Sequence, residues 1–209
     1  MTKPDIGAVV FDLGGVLLEW NLRHLYRNLF PDEAAVTAFL EETGLPAMNV
    51  EFDGGRAFAD GIGALARRFP HRADALLAFD ERWIETLPGE IPGSVALLEA
   101  LDAGGVPLFA LTNFSAEKFP LARLLFPFLQ RFRHVVVSGE VGLVKPDPRI
   151  FDVLMRWTGE PAHRTVYIDD SRPNVEAATR LGFRALHFTA AARLRAELAG
   201  LGLPVPAVG

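Results

Sequence analysis

Four small groups of polar residues, each following an apolar run, are the residues of this chain that could do chemistry together. Asp12 follows Ala8-Val9-Val10-Phe11 and is followed almost at once by Gly14 and Gly15. Thr112-Asn113 ends the run that starts at Val106, Lys145 lies in Val-Lys-Pro-Asp-Pro beyond the run 134–137, and Asp169-Asp170 ends the run 165–168. Carboxylates crowded together repel one another unless a cation sits among them. An all-oxygen set suits Mg²⁺, which keeps several waters and takes few protein carboxylates. A lysine and a hydroxyl can hold an anionic group beside such an ion, and a carboxylate that attacks a phosphoryl group forms an aspartyl-phosphate. Mg²⁺ and Lys145 would neutralise the charge of that transition state. Glycines beside Asp12 allow φ > 0 and let a ligand approach the backbone. Singly, each group has a plainer reading. Asp12 and Asp169-Asp170 could be turn residues, Thr112-Asn113 a helix cap and Lys145 a solvated loop residue. Their succession after four consecutive strands favours the joint reading.

Strands must bring these groups together. The apolar runs near residues 8–11, 106–113, 134–137, 165–168 and 184–188 read as strands, the first buried on both faces. Helical stripes lie between the later ones, with Pro148 and Pro173 at helix starts and Gly104, Gly159 and Gly182 at helix ends. This predicts an α/β fold: a doubly wound (Rossmann-like), mostly parallel sheet of at least five strands, with every strand's carboxyl end on one edge. Residues 19–90 break the alternation. Apolar stripes at Leu22–Leu29, Val36–Leu40, Phe58–Phe69 and Leu76–Ile84 read there as helices only. The expected division is an α/β core of residues 1–18 and 91–209 and an inserted, all-helical cap of residues 19–90. Helix breaks are expected at Pro31, at Gly44 with Pro46, and at Pro88-Gly89, with a mobile turn at Asp53-Gly54-Gly55-Arg56.

Composition excludes several alternatives. The chain has 209 residues, half of them apolar, with a net charge of −5 and no cysteine. Without a basic stripe a nucleic-acid partner is not expected. Without cysteine there are no disulfides, thiolate nucleophiles or thiolate metal sites. Residues 1–6 lack the pattern of a secretory leader and no run is long enough to span a bilayer, so a cytoplasmic protein without a membrane partner is expected. The Pro-rich stretch 203–209 reads as loose.

Phe-Asp-Leu-Gly-Gly-Val-Leu, Leu-Thr-Asn-Phe-Ser, Gly-Leu-Val-Lys-Pro-Asp-Pro and Ile-Asp-Asp-Ser occur in that order. Together they resemble the four motifs of the haloacid dehalogenase superfamily, in its branch with a helical cap after the first strand. The resemblance covers nearly the whole chain. It implies a sheet with the first strand between the second and the fourth. It implies Asp12 as nucleophile and Mg²⁺ ligand, with the Gly14 carbonyl and Asp170 as further ligands and Asp169 and Asn174 supporting them. Thr112 and Lys145 would hold the phosphoryl oxygens, with Asn113 and Gly15 beside them. From the cap, Arg56 is the candidate for an anionic substrate, and Trp20, Phe52 and Phe58 are candidate cavity walls. The implied partner is a small phosphorylated metabolite, and the implied assembly a monomer or homodimer.

The chain departs from that pattern at Gly14. Phosphatases of the superfamily usually carry there the aspartate that protonates the leaving oxygen and later activates water. Three readings stay open. One is a phosphatase that finds its acid in Glu19, His24, Glu51, Asp53, a water or the substrate. Another is a 2-haloacid dehalogenase using Asp12 without metal, since halide leaves without a proton. The third is a weakened enzyme that binds a phosphorylated ligand. The Asp169-Asp170 pair favours the first, because a metal-free dehalogenase gains nothing from it.

Overall fold

The computed structural model describes residues 5–205. The first part of the N-terminal stretch (1–4) and the end of the tail (206–209) lie outside them. Strand β1 (Ala8–Phe11) is buried at every position. Its side chains divide by the period of two: Val9 and Phe11 join one apolar cluster, Ala8 and Val10 another. The chain then runs through a two-residue strand β2 (Leu18–Glu19) into five helices, α1 (Leu22–Tyr26), α2 (Glu33–Thr43), α3 (Leu45–Asp53), α4 (Phe58–Arg68) and α5 (Ala73–Glu81). It returns through β3 (Gly89–Glu90) and α6 (Pro92–Ala103) to β4 (Leu108–Thr112). After that come α7 (Phe119–Leu125), β5 (His134–Val137), α8 (Ser138–Val141), α9 (Pro148–Thr158), β6 (Thr165–Asp169), α10 (Arg172–Arg180), β7 (Arg184–His187) and α11 (Ala191–Gly200).

The large sheet has the order β5-β4-β1-β6-β7, and each pairing in it is parallel. Helices α6 and α11 cover the Val9/Phe11 face; α9 and α10 cover the other. This is the expected doubly wound α/β fold, with the first strand central. Phe11 is level with Ala110 on one side and Ile168 on the other, so β1, β4 and β6 reach the carboxyl edge together. The reversal of strand order there is where such sheets bind ligands.

Several local expectations are corrected. Residues 19–90 are not purely helical: Leu18 pairs with Glu90 and Glu19 with Gly89 in an antiparallel ribbon. Bonds from Asn21 N–H to Thr86 C=O and from Ile91 N–H to Leu17 C=O extend it, so the chain leaves and re-enters side by side. Gly44 ends α2 in the left-handed region, but α3 starts at the next residue with Pro46 in its first turn. The turn after Asp53 is docked: Gly55 has φ +99°, and a Cβ there would lie 3.0 Å from the Gly139 carbonyl oxygen. After β4 the next helix, α7, begins only at Phe119, and the short helix α8 follows β5 directly. Leu203 and Val205 pack on the core, and Leu203 N–H bonds to Leu198 C=O, so that part of the tail is not loose. Phe52 and Phe58 are core residues stacked at 4.1 Å, with Phe79 at 5.4 Å from Phe58.

Among the described residues, no helix is long and apolar enough to cross a membrane. The Phe52–Phe58–Phe79 cluster fixes α3 against α4 and α5, so its loss is costly. Phe52→Ala is expected to lower unfolding free energy by about 3–5 kcal/mol, the usual cost of emptying a buried phenylalanine site. Urea denaturation followed by circular dichroism measures it.

Candidate active site

The carboxyl edge is built from backbone first. Asp12 N–H bonds to Ile168 C=O, continuing the β1–β6 ladder by one residue. The Leu13 carbonyl then accepts from the N–H groups of Val16, Leu17 and Leu18, turning the chain sharply away from the sheet. Gly15 has φ +74°, and a Cβ there would lie 2.3 Å from Asp170 Oδ2. Glycine at 15 is therefore what lets the Asp170 carboxylate come this close. Gly14 is different. It has no left-handed φ, and a Cβ there would have 3.7 Å to its nearest neighbour, Trp20 Cβ. Flanking bonds run from Leu18 N–H to Leu13 C=O and from Gly15 N–H to Leu18 C=O, so the Gly14 carbonyl takes no part in this turn.

Lys145 is the hub. Its Nζ donates to Asp169 Oδ2 at 2.7 Å and to Leu111 C=O at 3.0 Å, and lies 2.9 Å from Asp12 Oδ2. Three acceptors match the three protons of an ammonium. Asn113 fixes the lysine's backbone: its Oδ1 accepts from Lys145 N–H at 2.8 Å and its Nδ2 donates to Lys145 C=O at 3.1 Å. Asp169 is fully buried and heavily engaged. It accepts from Lys145, from the Tyr167 hydroxyl at 2.5 Å, from Ser171 N–H at 2.8 Å and from Asn174 Nδ2 at 3.1 Å. That leaves Asp12 and Asp170 as the carboxylates with capacity for a further partner, with Asp169 as their support.

One oxygen from each of Asp12, Asp169 and Asp170 lies within 4.8 Å of the other two. Three carboxylates thus cluster beside one ammonium, which pairs with two of them, Asp12 and Asp169. Burial pushes the Asp12 carboxyl up to about 8; Lys145 opposes this, while Asp169 and Asp170 add to it. Burial, then Asp169, raises Asp170 as well. Burial works against charge on Lys145 too, but Asp12 and Asp169 outweigh it and hold the ammonium above its ordinary range. Burial likewise opposes charge on Asp169, which Lys145, Tyr167 and the Ser171 N–H nevertheless hold below the usual carboxylate range. Raised values at Asp12 and Asp170 are what carboxylates show when their environment lacks positive charge. A divalent cation bound by Asp12, Asp170 and the Gly14 carbonyl fits this oxygen-only donor set.

Above the cluster opens a cavity of about 1020 Å³. Asp12, Gly14, Gly15, Asn113, Lys145, Asp170 and Asn174 line it, as do Trp20 and Asp53. Two expected binding residues do not. Thr112, the last residue of β4, is 1 % exposed and is not among the lining residues, whereas Asn113 and Ser115 are. Arg56 stands outside, paired with Glu51 at 2.5 Å, because the Gly54-Gly55 turn docks on α8 instead of facing the cavity. Of the alternative acids, Glu51 is held by Arg56, and Glu19 lies 3.4 Å from His24; none of these three lines the cavity. Tyr167 was missed because it sits inside an apolar strand. Its spacing of two from Asp169 places both side chains on one face of β6, a signal the sequence does contain.

The family model described as haloacid dehalogenase-like hydrolase matches residues 6–182. The chain is similar to the sesquiterpene phosphatase astK of Aspergillus oryzae, 29 % identical over 87 % of this chain and 89 % of that one. It is 30 % identical to the phosphoglycolate phosphatase of Pseudomonas syringae pv. syringae over 83 % of this chain, spanning 66 % of that protein's length. Among solved structures it resembles a HAD family enzyme from Bacteroides thetaiotaomicron in complex with magnesium and inorganic phosphate. That likeness has a TM-score of 0.70 at 22 % identity and covers 88 % of this chain and 95 % of that one.

Removing Lys145 strands two buried carboxylates. Lys145→Met is expected to cost about 3–5 kcal/mol at neutral pH, as when one partner of a buried pair is deleted. Without the ammonium the folded-state values of Asp12 and Asp169 stand above their unfolded values, so folding takes up protons and the variant's deficit shrinks as pH falls. Urea melts across pH 5 to 8 test both the size and the slope.

Proposed function

The chain belongs to the haloacid dehalogenase-like hydrolases, and from this membership we propose that it is a Mg²⁺-dependent phosphatase that uses Asp12 as nucleophile on a phosphomonoester with a largely apolar organic part. The observation that carries the proposal is the charge at the sheet edge: three carboxylates around one buried ammonium, at the floor of a large cavity. Mg²⁺, held by Asp12, Asp170 and the Gly14 carbonyl, supplies positive charge beside the phosphoryl oxygens. Lys145 supplies the rest and fixes the direction of the Asp12 carboxylate. An Asp12 oxygen attacks phosphorus as the bond to the leaving oxygen breaks; water then cleaves the aspartyl-phosphate, releasing inorganic phosphate and restoring Asp12. Asp169 and Asn174 hold this edge rigid from behind. Residues 19–90 act as a cap over the site, excluding water and selecting the substrate.

The cavity wall supports the substrate class. Trp20, Leu22, Leu40, Val50, Trp83 and Phe114 contribute its apolar surface. Its remaining cation besides Lys145, Arg23, is already held by Glu33 and Thr37, each at 3.0 Å. Glu41 and Asp53 add negative charge. Among the described residues, a substrate with a carboxylate besides its phosphate would find no free cation here, whereas an alkyl or isoprenyl body would find a matching wall. The activity named for the sesquiterpene phosphatase is compatible with this reading.

The protein is expected to release phosphate from aryl and long-chain alkyl monophosphates only with Mg²⁺. Chelation abolishes the activity, and Asp12→Asn lowers kcat by at least about 10³-fold, as loss of a nucleophile does. Metal-free halide release from 2-chloropropionate would instead establish the dehalogenase reading. Within an alkyl phosphate series, each added pair of methylenes raises kcat/KM on the order of tenfold, at about 0.8 kcal/mol per buried methylene. Preference for phosphoglycolate over every alkyl phosphate would refute the substrate class.

A further inference from the structure

The strand-1 side of the cavity holds no side-chain proton donor at position 14, although space and backbone would admit one: the nearest atom to a Cβ there is 3.7 Å away and the φ is not left-handed. The vacancy is chemical and not steric. On the other wall, α3 ends at Asp53, which lines the same cavity as Asp12, Gly14 and Lys145. Asn49, one turn back, donates to its Oδ2 at 3.1 Å.

The end of α3 is tied to the core by three contacts. The Ser138 hydroxyl donates to Asp53 C=O at 2.5 Å and accepts from Phe114 N–H at 2.8 Å, linking Asp53 to the ends of β5 and β4. Gly55 lies against the Gly139 carbonyl, a contact only glycine with φ +99° can make. Phe58 N–H bonds to Glu117 Oε1 at 3.0 Å. A carboxyl group so placed belongs to the reaction chamber although it comes from the helical insertion. Glu41 also lines the cavity, but it is exposed on α2.

We infer, resting on the phosphatase reading above, that Asp53 is the general acid and base of the reaction, taking the place left empty at Gly14. In the first half, a bond forms between an Asp12 oxygen and phosphorus while the bond from phosphorus to the leaving oxygen breaks. That oxygen keeps the electron pair and takes the proton of Asp53. In the second half, water attacks phosphorus and gives a proton to the Asp53 carboxylate. The bond from phosphorus to Asp12 breaks, and its electron pair returns to the Asp12 carboxylate. Burial pushes the Asp53 carboxyl up to about 7, with Lys145 pulling the other way, so both protonation states are populated near neutral pH.

The test compares wild type with Asp53→Asn on octyl phosphate and p-nitrophenyl phosphate with Mg²⁺. Octanol leaves only with a proton; p-nitrophenolate does not need one. For Asp53→Asn, kcat on octyl phosphate is expected to fall about 10²- to 10³-fold, the usual size of a general acid–base contribution. On p-nitrophenyl phosphate it should give a rapid burst of p-nitrophenolate, one per enzyme, followed by slow turnover as the aspartyl-phosphate accumulates. Glu51→Gln, on the same helix, should match wild type, and unchanged melting of Asp53→Asn shows that the fold is kept. Equal activity of Asp53→Asn and wild type, or equal slowing on both esters without a burst, would overturn the inference alone. A wild-type protein without Mg²⁺-dependent phosphatase activity would remove the premise and the inference together.

Discussion

The buried ammonium of Lys145 constrains the rest of the structure. A lysine side chain that is 1 % exposed is tolerated only while each of its protons has an acceptor, and its acceptors come from three adjacent strands: Asp12 after β1, Leu111 in β4 and Asp169 ending β6. Such a cluster contributes little net stability, because taking the charges out of water offsets most of their attraction. What it does is set position. A slip of one residue in either neighbouring strand would turn a carboxylate or carbonyl to the opposite face of the sheet and leave the ammonium unpaired. The level ends of β1, β4 and β6 and the pairing of the lysine are one constraint seen twice.

The same cluster is deliberately out of balance. Asp169 is consumed by Lys145, Tyr167, Ser171 and Asn174, which keeps it ionised and fully engaged. Asp170 is brought beside Asp12 only because residue 15 has no Cβ. The fold thus spends a glycine and a buried polar network to gather negative charge that the lysine cannot cancel. That arrangement opposes stability, as sites of function commonly do, and the Mg²⁺ proposed above would supply the positive charge it lacks.

Much of this was legible in the residues. The strands of the large sheet read correctly because two-sided burial leaves unbroken apolar runs, and because each run ends in residues an apolar strand has no reason to carry, Asp12, Asn113 and Asp169-Asp170 among them. What did not read was short or depended on long-range contact. The β2–β3 ribbon has two residues per strand, too few for any period. Helix α3 buries only Leu45, Asn49 and Phe52, so its stripe is faint and its proline looked like a stop. Arg56 invited a role by charge alone, but where an arginine points depends on the docking of the Gly54-Gly55 turn on Gly139, more than eighty positions along the chain from any local signal. The role of Thr112 is implied by the resemblance of its motif, and how far its side chain reaches the cavity depends on the pleat of β4, which the motif does not specify.

The insertion after β1 gains its meaning from how it is attached. It leaves and returns through one ribbon, shares a continuous apolar core with the α/β domain, and presses the end of α3 onto Ser138 and Gly139. A wall attached only by its ribbon could select substrates by shape, but could not hold a proton donor within hydrogen-bond reach of a reacting oxygen, since general acid catalysis demands placement to a few tenths of an ångström. Seating α3 on the strand ends restrains Asp53 in the way such a role would require. Were Asp53 the acid and Asp12 the nucleophile, as proposed, neither part would be competent without the other, and cleavage of a poor leaving group would be confined to the seated arrangement. On that reading Gly14 is not a defect: its missing carboxyl group would move the acid from the sheet to the insertion and make the chemistry depend on how the insertion is seated.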